Sequence, residues 1–277
     1  MTSTSQITTE TIGPRVGEAV ARLRRDAPLV QCLTNIVVAQ VTANVLLAAG
    51  ATPAMVDNSR EAEDFAAAAS ATLVNTGTPY PETAAGMEAA VRGATAADHP
   101  WVLDPVAAGM AWRTGIACSV LALGTPAIIR ANASEVLALA GGASTSRGPD
   151  AGDTVESARG AACELATRHG CVVAMSGPTD HLTDGTRTIT CSAGHEWMTR
   201  VTGIGCSLGA LMAAFAAVED DALVAAASAT SMMCVAAERA ARASRGPGGF
   251  AVALLDELFL VPPEAVGEEG GLDVVAS

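Results

Sequence analysis

The stretch Leu29-Val30-Gln31-Cys32-Leu33-Thr34-Asn35 is followed by an Ala- and Val-rich run over residues 37–49, then Gly50, then Thr52-Pro53-Ala54-Met55-Val56. The runs at 29–33 and 52–56 are apolar and of strand length. The run between them has the length and composition of a helix, and Gly50 tolerates the left-handed conformation that closes one. Strand, helix, strand is a crossover unit, which joins parallel strands with a right-handed turn. Outward from this unit the alternation continues. Candidate strands lie at 72–75, 101–106, 127–130 and 171–175, with Ala-rich helical runs between them. The pattern predicts an α/β chain with a central, mostly parallel sheet flanked by helices on both faces.

The rhythm changes near residue 180. His181-Leu182-Thr183-Asp184-Gly185-Thr186-Arg187-Thr188-Ile189-Thr190 alternates around Asp-Gly, a hairpin signal. A further short strand is predicted at 196–201, then a Gly-rich turn, then helices at 206–218, 221–243 and 249–258. The run after Asp221 has the length of a membrane span, but it carries Glu238 and Arg239 among Ala, Ser and Thr. It reads as a buried helix on the sheet, with no membrane role. Residues 1–12, rich in Ser and Thr, are expected to be disordered. Residues 13–261 are expected to form a single domain, and 262–277 an acidic, Gly-rich tail.

All sixteen basic residues are arginine, so no lysine is present. This excludes Schiff-base chemistry on lysine and the lysine-bearing P-loop. A net charge of -13 argues against nucleic acid as a partner. The seven cysteines form no CxxC pair, which argues against a zinc ribbon, and most read as small buried hydrophobes. A reducing cytoplasm suits them, and the polar first ten residues do not resemble a secretory signal.

Chemistry is expected where strands end. Thr202-Gly203-Ile204-Gly205-Cys206-Ser207-Leu208-Gly209 stands before a helix. Its glycines let successive amides converge, and a helix N-terminus adds partial positive charge. That is an anion hole needing no lysine, although a plain glycine turn with a buried cysteine has the same spacing. Cys206 at the first helical turn is expected to favour its thiolate. Arg130-Ala131-Asn132-Ala133-Ser134-Glu135 follows another strand. Asn132 and Glu135 have capping-box spacing. Glu135 is also an oxygen ligand of the kind magnesium takes, and Arg130 can grip a phosphate. Asp104, before Pro105, could share a metal with Glu135 or merely cap a loop. Ser176-Gly177 stands at the end of the 171–175 strand, where a nucleotide phosphate could lie. The four histidines show no metal-ligand spacing.

In this order the segments resemble the hydroxyethylthiazole kinase family of the ribokinase-like superfamily, from about Pro28 to Val261. They are 29–35, Thr42-Ala43-Asn44, 50–55, Leu103-Asp104-Pro105-Val106, 129–135, Gly194-His195-Glu196-Trp197-Met198-Thr199 and 201–206. The resemblance implies a ribokinase-like fold and ATP-dependent phosphorylation of the primary alcohol of 4-methyl-5-(2-hydroxyethyl)thiazole in thiamine salvage. It implies Met55, Gly203 and Asn35 at the thiazole, and Arg130, Ser176, Asn132 and Gly205 at ATP. Cys206 stands where most of the superfamily has Asp, and would be catalytic. Magnesium would lie by Glu135 and Asp104. A homotrimer with active sites between subunits is also implied. Gln31, Ala107, Ala131 and Ser176 stand where the family commonly has His, Gly, Gly and Thr.

Three other readings fit the same residues. One is a ribokinase-like kinase for another small alcohol, such as a hydroxymethylpyrimidine or a sugar. Another is a hydrolase or acyltransferase using Cys206, which would need a histidine within hydrogen-bond reach. A third is a nucleotide-binding module without catalysis.

Overall fold

A computed structural model describes residues 7–141 and 155–275. The chain runs α1 (Thr9–Asp26), β1 (Leu29–Leu33), α2 (Ala39–Ala49), β2 (Thr52–Ala54), α3 (Ala62–Ala68), β3 (Ala71–Asn75), α4 (Pro81–Ala96) and β4 (Trp101–Asp104). It continues through α5 (Ala111–Leu123), β5 (Ile128–Asn132), α6 (Ala133–Leu139), α7 (Val155–His169), β6 (Val172–Ser176), β7 (Asp180–Thr183) and β8 (Thr188–Cys191). After a 3-10 turn (Glu196–Arg200) come α8 (Ile204–Ala216), α9 (Ala222–Ala243), α10 (Pro247–Leu260), α11 (Pro263–Glu269) and β9 (Leu272–Val275).

The strands form one sheet in the order β2-β1-β3-β4-β5-β6-β7-β8-β9. Pairing is parallel from β2 to β6 and antiparallel from there to β9. The expected parallel sheet therefore carries an antiparallel third. Side chains alternate between two cores, as a pleated strand requires. Leu73, Val102, Ile128 and Val172 point into one core, against α1, α2 and α8–α11. Their successors Val74, Leu103, Ile129 and Val173 point into the other, against α3–α7. Both faces of the parallel strands are thus dry, which is why these strands read as continuous apolar runs.

The chain goes from β1 to β2 on one side, then crosses β1 to reach β3 on the other. Such a reversal opens a crevice beyond the carboxyl ends of the strands, where α/β sheets take their ligands. Asn35, just beyond β1, and Asn75, at the end of β3, stand on either side of it. Gly50 closes α2 at φ +108, as its position predicts.

Three expectations are corrected. Residues 196–201 are not a strand, because β9 already occupies the edge of β8. The 3-10 turn there is capped by His195, whose Nδ1 accepts the Trp197 N–H at 3.2 Å. Trp197 meets His195 and Phe250 edge-on, with ring centroids 5.0 and 6.0 Å apart. The acidic tail is folded: α11 packs on α1, and β9 pairs with β8. In β9, Leu272 and Val274 are half-buried while Asp273 and Val275 are exposed, a period-two signal masked by the surrounding charge. Of the N-terminal segment expected to be disordered, Thr9 to Ile12 already belong to α1, and residues 1–6 lie outside the described residues. No helix among the described residues is long and apolar enough to cross a membrane, and α9 is buried along most of its length.

Candidate active site

Strand register assembles the site. Asn75 lies opposite Asp104 across β3 and β4, and Asn132 opposite Ser176 across β5 and β6. Counting in twos from Leu73, Val102 and Ile128 places Asn75, Asp104 and Arg130 on the α8 face of the sheet. There α8 crosses β3 and β4. It can sit this low because of its glycines. A Cβ at Gly205 would lie 2.9 Å from both terminal nitrogens of Arg130, and one at Gly209 would lie 3.2 Å from Leu73 Cδ1 and 3.5 Å from Asp104.

The turn before α8 has the geometry expected of it. Gly203 takes φ +97, and a Cβ there would press on Val38 at 3.1 Å. Ile204, Gly205 and Cys206 form the first helical turn, whose amides have no partner within the helix.

Hydrogen bonds tie the strand ends together. Asn35 Nδ2 donates to Asn75 Oδ1 at 3.2 Å and to Cys206 Sγ at 3.5 Å. Asn75 Nδ2 donates to Asp104 Oδ2 at 2.7 Å, and Asn75 Oδ1 also accepts the Gly77 N–H at 3.0 Å. Arg130 reaches Asp104 Oδ1 at 3.7 Å and donates to Ser176 Oγ at 3.1 Å. Asp104 is fully buried, and its Oδ1 has no hydrogen-bond partner among the described residues. Glu135 Oε1 accepts the Ala107 N–H at 2.8 Å and Oε2 the Asn132 N–H at 2.9 Å. The Asn132 side chain accepts the Glu135 N–H at 2.9 Å, completing the expected capping box.

Burial pushes the Asp104 carboxyl up to about 7, against the pull of the Arg130 guanidinium, with Glu135 adding to the rise. Arg130 stays charged: burial works against its charge, but Asp104, Glu135, Cys206 and Asp180 together hold its pKa above the usual range. Burial and Asp104 push the Cys206 thiol up despite Asn75, Arg130 and Asn35. The expected thiolate is therefore corrected to a thiol. The helix N-terminus is present, but the sulfur is desolvated and faces a carboxylate.

The structure thus links Asn35, Cys206, Asp104, Arg130 and Ser176 through Asn75 into one polar network, with Gly205 packed on Arg130 and Gly203 at the start of the adjoining helix. Asn132 and Glu135 join it through the loop after β4. Met55 lies beyond the end of β2, 39% exposed and outside this network. Sequence reading missed Asn75, which links Asn35 to Asp104. Its one signal is a polar residue closing an apolar strand. Gln31 is also explained: its buried amide donates to Val56 O at 2.9 Å and Ala62 O at 3.2 Å. It holds the segment carrying Met55. Ala107, in the place of a family glycine, has φ +59, the left-handed conformation that glycine adopts without strain. The groups that act on the Cys206 sulfur among the described residues are Asp104, Asn75, Arg130 and Asn35, and His195 Nδ1 is engaged with Trp197.

The hydroxyethylthiazole kinase family model matches residues 20–264. A protein from Cutibacterium acnes named hydroxyethylthiazole kinase is 64% identical over 94% of this chain and 95% of its own length. One of the same name from Kineococcus radiotolerans is 53% identical over 91% and 92%. The solved hydroxyethylthiazole kinase from Pyrococcus horikoshii superposes with a TM-score of 0.85 at 34% identity, over 94% of this chain and 98% of that one. A pyridoxal kinase from Staphylococcus aureus in complex with AMP-PCP shares the fold, with a TM-score of 0.57 at 15% identity over 76% of this chain and 86% of its own.

Proposed function

The chain belongs to the hydroxyethylthiazole kinase family, and on that premise we propose that the strand-end network is its active site. The reaction moves the γ-phosphoryl of ATP to the primary alcohol of 4-methyl-5-(2-hydroxyethyl)thiazole, in thiamine salvage. The observation that carries the assignment is the seating of α8 on the strand ends, with Gly205 against the Arg130 guanidinium and Gly209 against Asp104.

Phosphoryl transfer asks the protein for position and charge more than for covalent chemistry. Arg130 supplies a fixed positive charge, with Ser176 beside it to meet ATP. The amides of Gly203 to Cys206 face the transferring group. Asn132 orients Glu135 and lies at the phosphate side. Asn35, with Met55 and Gly203, lines the thiazole; in a chain with 3% aromatic residues, aliphatic side chains are the main supply for its ring. Cys206 shapes the pocket for the substrate hydroxyl. Held as a thiol, it becomes a proton acceptor only once the phosphoryl is partly transferred.

The donor set suits magnesium. Glu135 offers two fixed carboxylate oxygens, each with a lone pair beyond its backbone amide, and Asp104 offers a buried oxygen without a hydrogen bond. These two residues would hold the ion, which when bound supplies positive charge against the phosphate oxygens. The homotrimer follows from the family resemblance alone; Ile36 and Val37, next to Asn35 and 75% and 63% exposed, are apolar residues that a neighbouring subunit would cover. Seven free thiols support a cytoplasmic setting.

The test is ADP release by purified protein with ATP, magnesium and a panel of alcohols. Hydroxyethylthiazole is expected to lead. Preference for a hydroxymethylpyrimidine or a sugar would overturn the substrate, and no turnover on any alcohol would overturn the kinase assignment.

A further inference from the structure

A second cluster of reactive side chains lies across the antiparallel part of the sheet, and it adjoins the proposed ATP site through Asp180, which is within electrostatic reach of Arg130. Asp180 opens β7, Cys191 closes β8, and Cys234 lies midway along α9. The ligand atoms of the three residues lie within 4.8 Å of one another, the one such group among the described residues. Both thiols are buried, Cys191 at 0% and Cys234 at 3% exposure, whereas Asp180 is only half-buried and opens the cluster on one side. Cys234 Sγ points at Asp180 Oδ2 across 3.9 Å. The other oxygen, Oδ1, accepts the Gly177 N–H at 2.9 Å, which fixes the carboxylate. Glu238, one turn along α9, does not compete for the position, since it accepts the Gly194 N–H at 3.0 Å and pairs with Arg242.

We propose that Asp180, Cys191 and Cys234 bind one zinc ion. Two sulfurs and one carboxylate oxygen, drawn from three elements, are the borderline-soft donor set that zinc takes, and three protein ligands leave the fourth tetrahedral position open. Water enters that position from the exposed side of Asp180. On binding, two Zn–S bonds and one Zn–O bond form. Each thiol gives its proton to solvent, Asp180 gives up any proton it holds, and no group changes oxidation state. The ion fastens β7, β8 and α9 together. Through Asp180 it also steadies the turn from Ser176 to Asp180, where the proposed ATP-binding Ser176 lies.

The experiment uses the full chain stripped of metal and titrated with zinc alone. One equivalent is expected to bind and to raise the melting temperature by several degrees, by mass action on the folded state. Cobalt in place of zinc is expected to show thiolate-to-metal charge transfer. Cys191→Ser or Cys234→Ser is expected to weaken zinc binding about 100-fold or more, while Cys163→Ser leaves it unchanged. X-ray absorption on the zinc-loaded parent needs no variant, and is expected to show two sulfur ligands at about 2.3 Å. A shell of nitrogen and oxygen alone, the absence of charge transfer, or equal zinc affinity in Cys191→Ser and the parent would overturn the site and leave two buried thiols.

Discussion

Two buried polar clusters share the α8 and α9 side of the sheet, and they invite ligands of opposite sign. In the parallel half, every strand ends at the same edge and the chain turns there into loops and helices. Backbone N–H groups of α8, with Arg130 beneath them, converge on one place and suit an anion. In the antiparallel half, strand directions alternate, so no such set of helix starts is gathered. Asp180, Cys191 and Cys234 meet there through their side chains, with the Gly177 N–H on Asp180 and the Gly270 carbonyl accepting from Cys191, and all three side chains become negative on losing a proton. The direction of the strands thus decides whether backbone or side chains dominate a site. On the proposed reading, a protein without lysine holds a polyphosphate because its backbone carries much of the positive field.

The comparison breaks most readily at Gly203. Valine there must hold φ +97 and meet Val38 at 3.1 Å, so it is expected to move the amides and lower kcat by about 100- to 1000-fold. An unchanged turnover would remove the backbone from the anion site. Arg130→Ala is expected to raise the ATP KM by about 10- to 100-fold, the worth of hydrogen bonds to a charged group. Gly205→Ala should act in the same direction more weakly, because its methyl lands 2.9 Å from the guanidinium. An unaltered KM in Arg130→Ala would leave the arginine a structural partner of Asp104.

Smaller effects sharpen the same picture. Cys206→Ala is expected to keep turnover within about tenfold of the parent and leave the pH profile unshifted, because a buried thiol is not the base that starts the reaction. A larger loss with a lost ionisation would restore the thiolate. Asp104 gives a pH signature. Its folded pKa of about 7 lies above the ordinary 3.8. Between those values the folded state keeps a proton that the unfolded state has lost, so stability falls as pH rises through the window. Asp104→Asn escapes that cost. Its melting temperature is expected to exceed the parent's above pH 7, by the equivalent of a few kcal/mol at most, and to converge with it near pH 4. A constant difference at every pH would contradict the raised carboxyl. Ala107→Gly is expected to change stability least, gaining up to about 1 kcal/mol by relieving φ +59, as denaturant unfolding would show.

The fold was legible where both sheet faces are buried. The first six strands announce themselves as apolar runs, and β1 matches its predicted span while the others shift by a few residues at their ends. Pro105 ends β4 earlier than its apolar run suggests, and β5 continues into Asn132 because that residue caps α6 directly. The closing segment was misread because composition hid a short alternation in β9. The short run at 196–201 was misread because no free sheet edge awaited it. Arg130, Asn132, Glu135, Gly203 and Cys206 could be named from motifs, since each belongs to a local turn or cap. Asn75 could not, because its role depends on a neighbour 29 residues away.

By itself the sequence determined the alternation of strands and helices, the glycine turn before α8, the capping box at Asn132 and the exclusion of lysine chemistry. These depend on residues within one or two turns of each other, where backbone geometry is set by local sterics. Only the tertiary structure decided that Cys206 is a thiol, that Asp104 is short of a partner, that Gln31 holds the Met55 segment, and that Cys191 meets Cys234. Burial and charge are sums over everything packed around an atom, and no stretch of chain carries that sum.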